Sequence, residues 1–469
     1  MIRQTLARLR RMDSRELAWR TGAALRIVFE RMRSSIVPPR WDRRDLRSRL
    51  LPVPALAGAR AALRERRWDE AHRLLSSYFA GRPPRFAIAP ALRDAVRDRV
   101  SREHPEAVSD AAARADRLLA GEYDLLGYRG LRFDHGARPA SEAKACDGQD
   151  SHLPFVSVPG AGKPFPAPLD WHFDPVHGCR TPRVFWTGVA YLDPASGDHK
   201  VIWELNRHQH WLALGRGYWL TGDRRYRDRC LSELASWLDA NPPLTGVNWA
   251  SMLELALRSI SWIWALNFFA EGPTDAGHDA TQERGNRSHS TPWTVDLLLG
   301  LDRQLTHVER NLSYYFSPNT HLLGEALALY VAGRGLPELA RAARWEAIGR
   351  RILVDQIDRQ IERDGGHAER STHYHRYTLY FYLLALTVAR ITGDSAAPLF
   401  ERAVDALASA ARLFADDRGR VPQIGDDDGG MTMPIAGRAA DDWRDSLTAA
   451  AALLGRPGLR IGATPEEPS

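Results

Sequence analysis

Two short stretches carry residue types able to move a proton. Asp364 to Tyr380 reads DGGHAERSTHYHRYTLY, and Ser317 to Tyr330 reads SPNTHLLGEALALY. Each sets polar, titratable side chains where a turn enters an apolar helix. Asn319 and His321 open one helix; Tyr374, between His373 and His375, opens the other. Positive charge beside a tyrosine lowers the cost of its phenolate, so His373, His375 and Arg370 are expected to bring the Tyr374 pKa down. Asn is a neutral donor that can hold a carboxylate or a developing oxyanion. The set suits removal of a proton α to a carboxylate. Asn319, with His321 or Arg376 adding charge, would neutralise the carboxylate, and Tyr374 would handle the proton. Plainer readings exist beside these. Asn319 stands where an N-cap belongs. Tyr374 can be a packed ring with a satisfied hydroxyl. His321 and Glu325, like Glu254 and Arg258, are four apart on one helix and can simply pair.

These turns need a scaffold, and the hydrophobic periodicity describes one. Residues 1 to about 120 read as helices broken at Pro38-Pro39 and Pro83-Pro84, with one expected over Arg64 to Phe79. Between about 121 and 200, Gly, Pro and aromatic residues dominate and helical spacing is lost. That segment is expected to be irregular, with short strands. Trp171, His172 and Trp186 within it can stack on sugar faces or pack inward. From 201 to 455 helical spacing returns, over Trp203–Leu220, Tyr226–Asp239, Trp249–Phe269, Trp293–Tyr314, His321–Ala332, Pro337–Asp364, Tyr374–Thr392 and Ala396–Ala415. The polar stretch from Glu271 to Pro292 reads as a long exposed loop, and 456–469 as a disordered tail. Successive antiparallel helices without heptads or a fixed repeat point to an all-α bundle, solenoid or α/α toroid.

Composition narrows the partners. The 469 residues are 44% hydrophobic and 26% charged, ordinary for a globular chain. No apolar run is long enough to span a bilayer. The opening MIRQTLARLRRMDSRELAWR lacks the apolar core of a secretory signal and reads as a basic amphipathic helix. A net charge of +6 favours an acidic partner. No zinc-finger, RNP or helix-turn-helix pattern points to nucleic acid. Lys144, Lys163 and Lys200 are the only lysines, so Arg supplies nearly all the cations. Cys146, Cys179 and Cys230 fit no disulfide framework and read as free thiols. His367, His373 and His375 match no zinc spacing, and Gly425 to Gly430, GDDDGG, lacks EF-hand spacing; no metal is expected from either. The acidic stretch reads as a tight turn between helices.

Four ordered segments carry a resemblance: VIWELNRHQHWLALGRGYWLTGD, NWASMLELALRSISWIWAL, SPNTHLLGEALALYVAG and DGGHAERSTHYHRYTLYFYLLAL. Together, over roughly 120 to 455, they resemble the helical domain of the heparinase II/III-like family, polysaccharide lyases acting on heparan sulfate, alginate oligomers and related uronate glycans. The resemblance implies an incomplete (α/α) toroid, here with an N-terminal helical extension, whose concave side binds the sugar chain. It implies that Asn319 or His321 neutralises the uronate carboxylate and that Tyr374 is base, acid or both. Trp171, His172, Trp249, Glu254, Arg258, Arg370, His373, His375 and Arg376 are placed among the substrate-binding residues, and the acidic turn can border the cleft.

Family enzymes continue into a β-sandwich domain that supplies a catalytic His and often a metal site. No strand-rich region follows the last helices before Ser469, so no cofactor is expected in this chain, and a separate β-domain chain becomes a candidate partner. The resemblance suggests the periplasm or cell envelope; the lack of a readable signal suggests an intracellular or envelope-biosynthesis setting. Two other functions fit the same helices. One is an α/α-toroid glycoside hydrolase using Glu369 with Asp426 or Asp427. The other is a glycan-binding or exopolysaccharide-associated protein without turnover.

Overall fold

A computed structural model describes residues 12–134, 168–190, 193, 196–272, 291–433, 438–439 and 441–462. Cys146, residues 273–290 of the 271–292 loop reading and residues 463–469 of the tail reading lie outside them. Numbering helices of eight residues or more, the N-terminal region holds α1 (Ser14–Ile36), α2 (Ala57–Arg64), α3 (Trp68–Gly81), α4 (Arg93–Glu103) and α5 (Pro105–Leu119). The toroid follows: α6 (His199–Asn206), α7 (His210–Thr221), α8 (Arg224–Ala240), α9 (Met252–Phe269), α10 (Trp293–Arg310), α11 (Thr320–Gly335), α12 (Ala342–Gln360), α13 (Thr372–Thr392), α14 (Ala397–Phe414) and α15 (Arg444–Leu454). Strands are short. Tyr123–Leu125 pairs antiparallel with Tyr128–Leu131, with Tyr123 opposite Leu131, and Phe173–Asp174 pairs with Cys179–Arg180.

The helices alternate between two layers. α7, α9, α11 and α13 pack on one another in succession, while α8, α10, α12 and α14 cover them. Sequence explains the division. Every residue of α9 from Met252 to Phe269 is buried, so this helix meets protein on all sides and can only be an inner one. In α12 the buried positions Trp345, Gly349, Ile352, Leu353, Gln356, Ile357 and Gln360 form one stripe, with arginines on the other side, as a covering helix requires. Gly349 lets α12 approach α11 closely: a Cβ there would collide with the Ala326 carbonyl and the Tyr330 amide.

Boundaries depart from the sequence reading in several places. The helix expected over Arg64 to Phe79 begins at Trp68, because Arg66 takes a left-handed φ of 60° and separates it from α2. The helix expected over Pro337 to Asp364 spans only Ala342–Gln360. The single helix expected over Trp203 to Leu220 is two, broken where His208 adopts φ 56°. Local bonds hold that break. Asn206 Nδ2 donates to the Ile202 and Trp171 carbonyls at 2.8 and 2.9 Å, and Trp262 Nε1 donates to His208 Nδ1 at 2.8 Å. The break turns Arg207 inward, toward the end of the toroid where α11 and α13 begin.

Candidate active site

The two proton-handling turns meet at that end. Asn319 caps α11, its Oδ1 accepting from the His321 amide at 3.3 Å. Its amide nitrogen donates to Glu369 Oε2 at 2.7 Å. The Thr320 amide donates to Glu369 Oε1 at 3.1 Å, and the Thr320 hydroxyl donates to the same oxygen. A carboxylate therefore sits against the positive end of α11, where free backbone N–H groups favour an anion. Burial raises the Glu369 pKa, and the bonds from Thr320 and Asn319 oppose that rise.

Across from it, Ser371 caps α13 by accepting from the Tyr374 amide. The Tyr374 hydroxyl donates to Asp428 Oδ2 at 2.6 Å, and Lys200 pairs with the other oxygen of that carboxylate. Burial, the bond to Asp428 and the nearby Glu369 and Asp426 all raise the Tyr374 pKa. This corrects the expectation of a lowered value. Two of the groups expected to lower it, His373 and His375, face other partners, and so does Arg376, expected to add charge at the substrate carboxylate. His375 is buried, bonded through Nε2 to the Leu407 carbonyl at 2.9 Å and stacked on Trp443. Arg376 is buried against Tyr380. His373 Nδ1 pairs with Asp427 Oδ1 at 3.0 Å, and that pairing brings the Asp427 pKa down to about 2. Tyr374 is thus a neutral phenol at neutral pH.

His321 stands between these groups. Burial lowers its pKa, against the pull of Glu254 and Asp428, so the imidazole is neutral. Among the described residues its ring nitrogens have no hydrogen-bond partner. Arg370 adjoins the site with φ 55°, a strained backbone for a side chain with a Cβ. Its guanidinium is exposed and, among the described residues, unpaired.

Beneath lies a buried ion cluster. Arg207 Nε and Nη2 grip both oxygens of Glu254, at 2.6 and 2.8 Å. Its Nη1 pairs with Glu204 and donates to the Asp428 carbonyl at 3.0 Å. The Gly430 amide donates to Glu204 Oε1 at 3.1 Å. Gly430, at φ 80°, also passes so near the Tyr377 hydroxyl that a Cβ would lie 2.5 Å from it. The acidic turn is thus fixed at both ends, to α6 through Glu204 and Lys200, and to α13 through Ser371 Oγ, which donates to the Asp426 carbonyl at 2.8 Å. It borders the site as a structural part of it.

Several residues assigned to substrate lie inside the protein. Arg258 is fully buried; it donates to Gln304 Oε1 and to the Asn206 and Asn248 carbonyls, and lies over the Trp237 ring. The Glu254–Arg258 ion pair is therefore replaced by Glu254–Arg207. Trp171 donates to Ser236 and packs on His208. Trp249 packs between Trp41 and His307, and His172 faces the Ala240 carbonyl. Irregular segment and toroid meet through these rings. His367 faces Gln360, so the three histidines of the 367–375 stretch turn to separate partners.

The proposed His321–Glu325 pair does not form either. Glu325 accepts from the Ser313 amide at 2.8 Å and hydroxyl at 2.6 Å, and burial pushes its pKa up to about 8. A carboxyl raised on folding keeps its proton in the native chain. Its contribution is complete below about pH 4.3 and is lost as pH rises toward 8. Between pH 5 and 8 the wild type is expected to lose about 3 kcal/mol more stability than Glu325→Gln. Urea unfolding of both at each pH checks this; parallel pH profiles would refute it.

Lys200, Glu204, Arg207 and Asp428 were not singled out from the sequence. The one available signal was the acidic turn, whose possible border position came from the resemblance.

Comparisons with known proteins identify the family and the fold. Residues 165–399 match the family model described as heparinase II/III N-terminus. Asn319, His321 and Tyr374 fall within the match; Asp428 lies beyond it. The chain is similar to a heparin-sulfate lyase of Bacteroides stercoris, 25% identical over 205 residues, which are 42% of this chain and 30% of that protein. A heparin-sulfate lyase of Bacteroides thetaiotaomicron is 29% identical over 177 residues, 37% of this chain and 23% of its own length. Less than a third of either relative is therefore matched. The fold is similar to the crystal structure of heparinase III, with a TM-score of 0.59 at 15% identity, covering 89% of this chain and 55% of that one.

Proposed function

Because the chain belongs to the heparinase II/III N-terminus family, we propose that the end of its toroid binds an acidic, uronate-containing polysaccharide and cleaves it by β-elimination. The observation that carries this reading is the carboxylate cradle of Asn319 and Thr320, which holds Glu369 beside Tyr374. The C5 proton of a uronate is hard to remove while its carboxylate bears full charge, so a donor must meet the carboxylate first. Glu369 takes one of the two Asn319 amide hydrogens, and the second would serve the substrate. Neutral His321 would accept the C5 proton. The electron pair becomes the C4–C5 double bond, the C4–O bond breaks, and the departing oxygen takes the Tyr374 proton. Lys200, through Asp428, would offset the phenolate charge until His321 returns its proton through solvent. Arg370 would meet the glycan's charge at the rim.

The hydrolase alternative asks for two carboxyls facing one sugar bond, one of them protonated. Asp427 is held ionised by His373, and Glu369 is turned to Asn319 and Thr320, which favours elimination. The test is ultraviolet absorbance over time with a panel of uronate polysaccharides. Elimination gives a rise from the conjugated double bond. New reducing ends without that rise would replace the reading with hydrolysis, and binding without either would make the chain a glycan-binding protein.

A further inference from the structure

Helix α1 faces the opposite way from an ordinary surface helix. None of its residues is buried. Its polar side chains hold it to the body: Arg20 donates to the Tyr315 carbonyl at 2.8 Å, Arg26 to the Arg310 carbonyl and to Asn311, and Glu30 pairs with Arg310 at 3.3 Å. Trp19 lies against the Tyr315 ring. These contacts fix the rotation of the helix. At 3.6 residues per turn, Leu25, Phe29, Met32 and Ile36 form one stripe on the opposite side. That stripe is open to solvent: Phe29 is 67% exposed, Met32 62% and Ile36 80%. An amphipathic helix beside water normally turns such a stripe inward.

We propose that α1 docks this stripe into an anionic lipid surface, lying in the plane of the interface. Length and hydropathy set the mode, since among the described residues no helix is long and apolar enough to cross a membrane. A helix with a large apolar stripe and arginines alongside suits the boundary between headgroups and acyl chains. Charge selects the partner. Residues 14–36 carry five Arg against two Glu, and Arg31 and Arg33 flank the stripe. They complement anionic headgroups. A second copy packed stripe to stripe would bring these arginines together. A soluble polyanion would leave Phe29 and Met32 in water. The inference stands apart from the proposed elimination.

The test floats the full chain with vesicles, either phosphatidylcholine alone or phosphatidylcholine with about one-third phosphatidylglycerol. The second mixture is expected to carry the wild type and the first to carry about ten-fold less. Phe29→Glu with Met32→Glu is expected to lower binding to anionic vesicles about ten-fold or more at an unchanged melting temperature, since both side chains point outward. Arg31→Ser with Arg33→Ser is expected to weaken binding and blunt its salt dependence. No flotation with anionic vesicles overturns the proposal. So does equal flotation of the Phe29/Met32 variant, which would leave only a basic patch. A wild-type dimer by light scattering that the same variant turns monomeric, without vesicle binding, would assign the stripe to a second copy.

Discussion

Tyr374→Phe is expected to lower the elimination rate by about a thousand-fold, within the range that a positioned proton donor contributes. The substitution keeps the ring and removes the hydroxyl that Asp428 holds at 2.6 Å. Lys200 still pairs with Asp428, so the stability cost should be about 1 kcal/mol, that of one hydrogen bond. Affinity for the polysaccharide should change little, because the carboxylate cradle and Arg370 remain. The pH profile carries further information. Burial and Asp428 hold the Tyr374 phenol protonated, so the rate should not fall through an alkaline limb at ordinary pH. On the acid side, activity should decline only below the usual histidine range, because burial lowers the His321 pKa. Initial absorbance rates from pH 5 to 9 would show both. A variant keeping a tenth of the rate would remove Tyr374 from the chemistry.

The second large effect concerns stability. Arg207→Met is expected to cost about 3–5 kcal/mol, the range for breaking a buried ion pair by removing one partner. Arg207 is the shared cation of Glu204 and Glu254; Arg207 and Glu254 are buried and Glu204 nearly so. Without it, two carboxylates face each other in an apolar surrounding, and the Asp428 carbonyl loses a donor. Adding Glu254→Leu should restore part of the loss, because one uncompensated charge goes with it. Urea midpoints at pH 7 for the two variants and the wild type measure the effect. A loss below about 1 kcal/mol for Arg207→Met would mean that water reaches the cluster.

The helical succession was legible because inner and covering helices differ in periodicity, as α9 and α12 show. Gly222 ends α7 at φ 76°, the kind of local stop that a glycine after an apolar helix announces. Asn319 and Tyr374 could be found from type and position, since capping and a polar helix start are local properties. What was not legible depends on contacts distant in sequence. Nothing near Tyr374 reveals that its hydroxyl meets Asp428, 54 residues on. Charge counting failed for the same reason. His375 and Arg376 follow Tyr374 on a helix, and one turn of that helix carries them into the core. The break at His208 was hidden as well, because residues 203–220 hold no Gly or Pro that would announce it before Gly215. It follows from Asn206 and Trp262, which no periodicity links.

The fastening of the acidic turn to α6 also dates the site within the life of the chain. Lys200 and Asp428 are 228 positions apart, and Glu204 and Gly430 are 226 apart. Contacts that close such long loops come late, after the neighbouring helix pairs have already formed. On the ribosome, every helix through α14 emerges before Asp428 does. A newly made chain therefore holds Asn319, His321 and Tyr374 on packed helices for an interval in which Tyr374 lacks its partner and Arg207 lacks the Asp428 carbonyl. Asp428 joins the site only after the helices that display Tyr374 have been made.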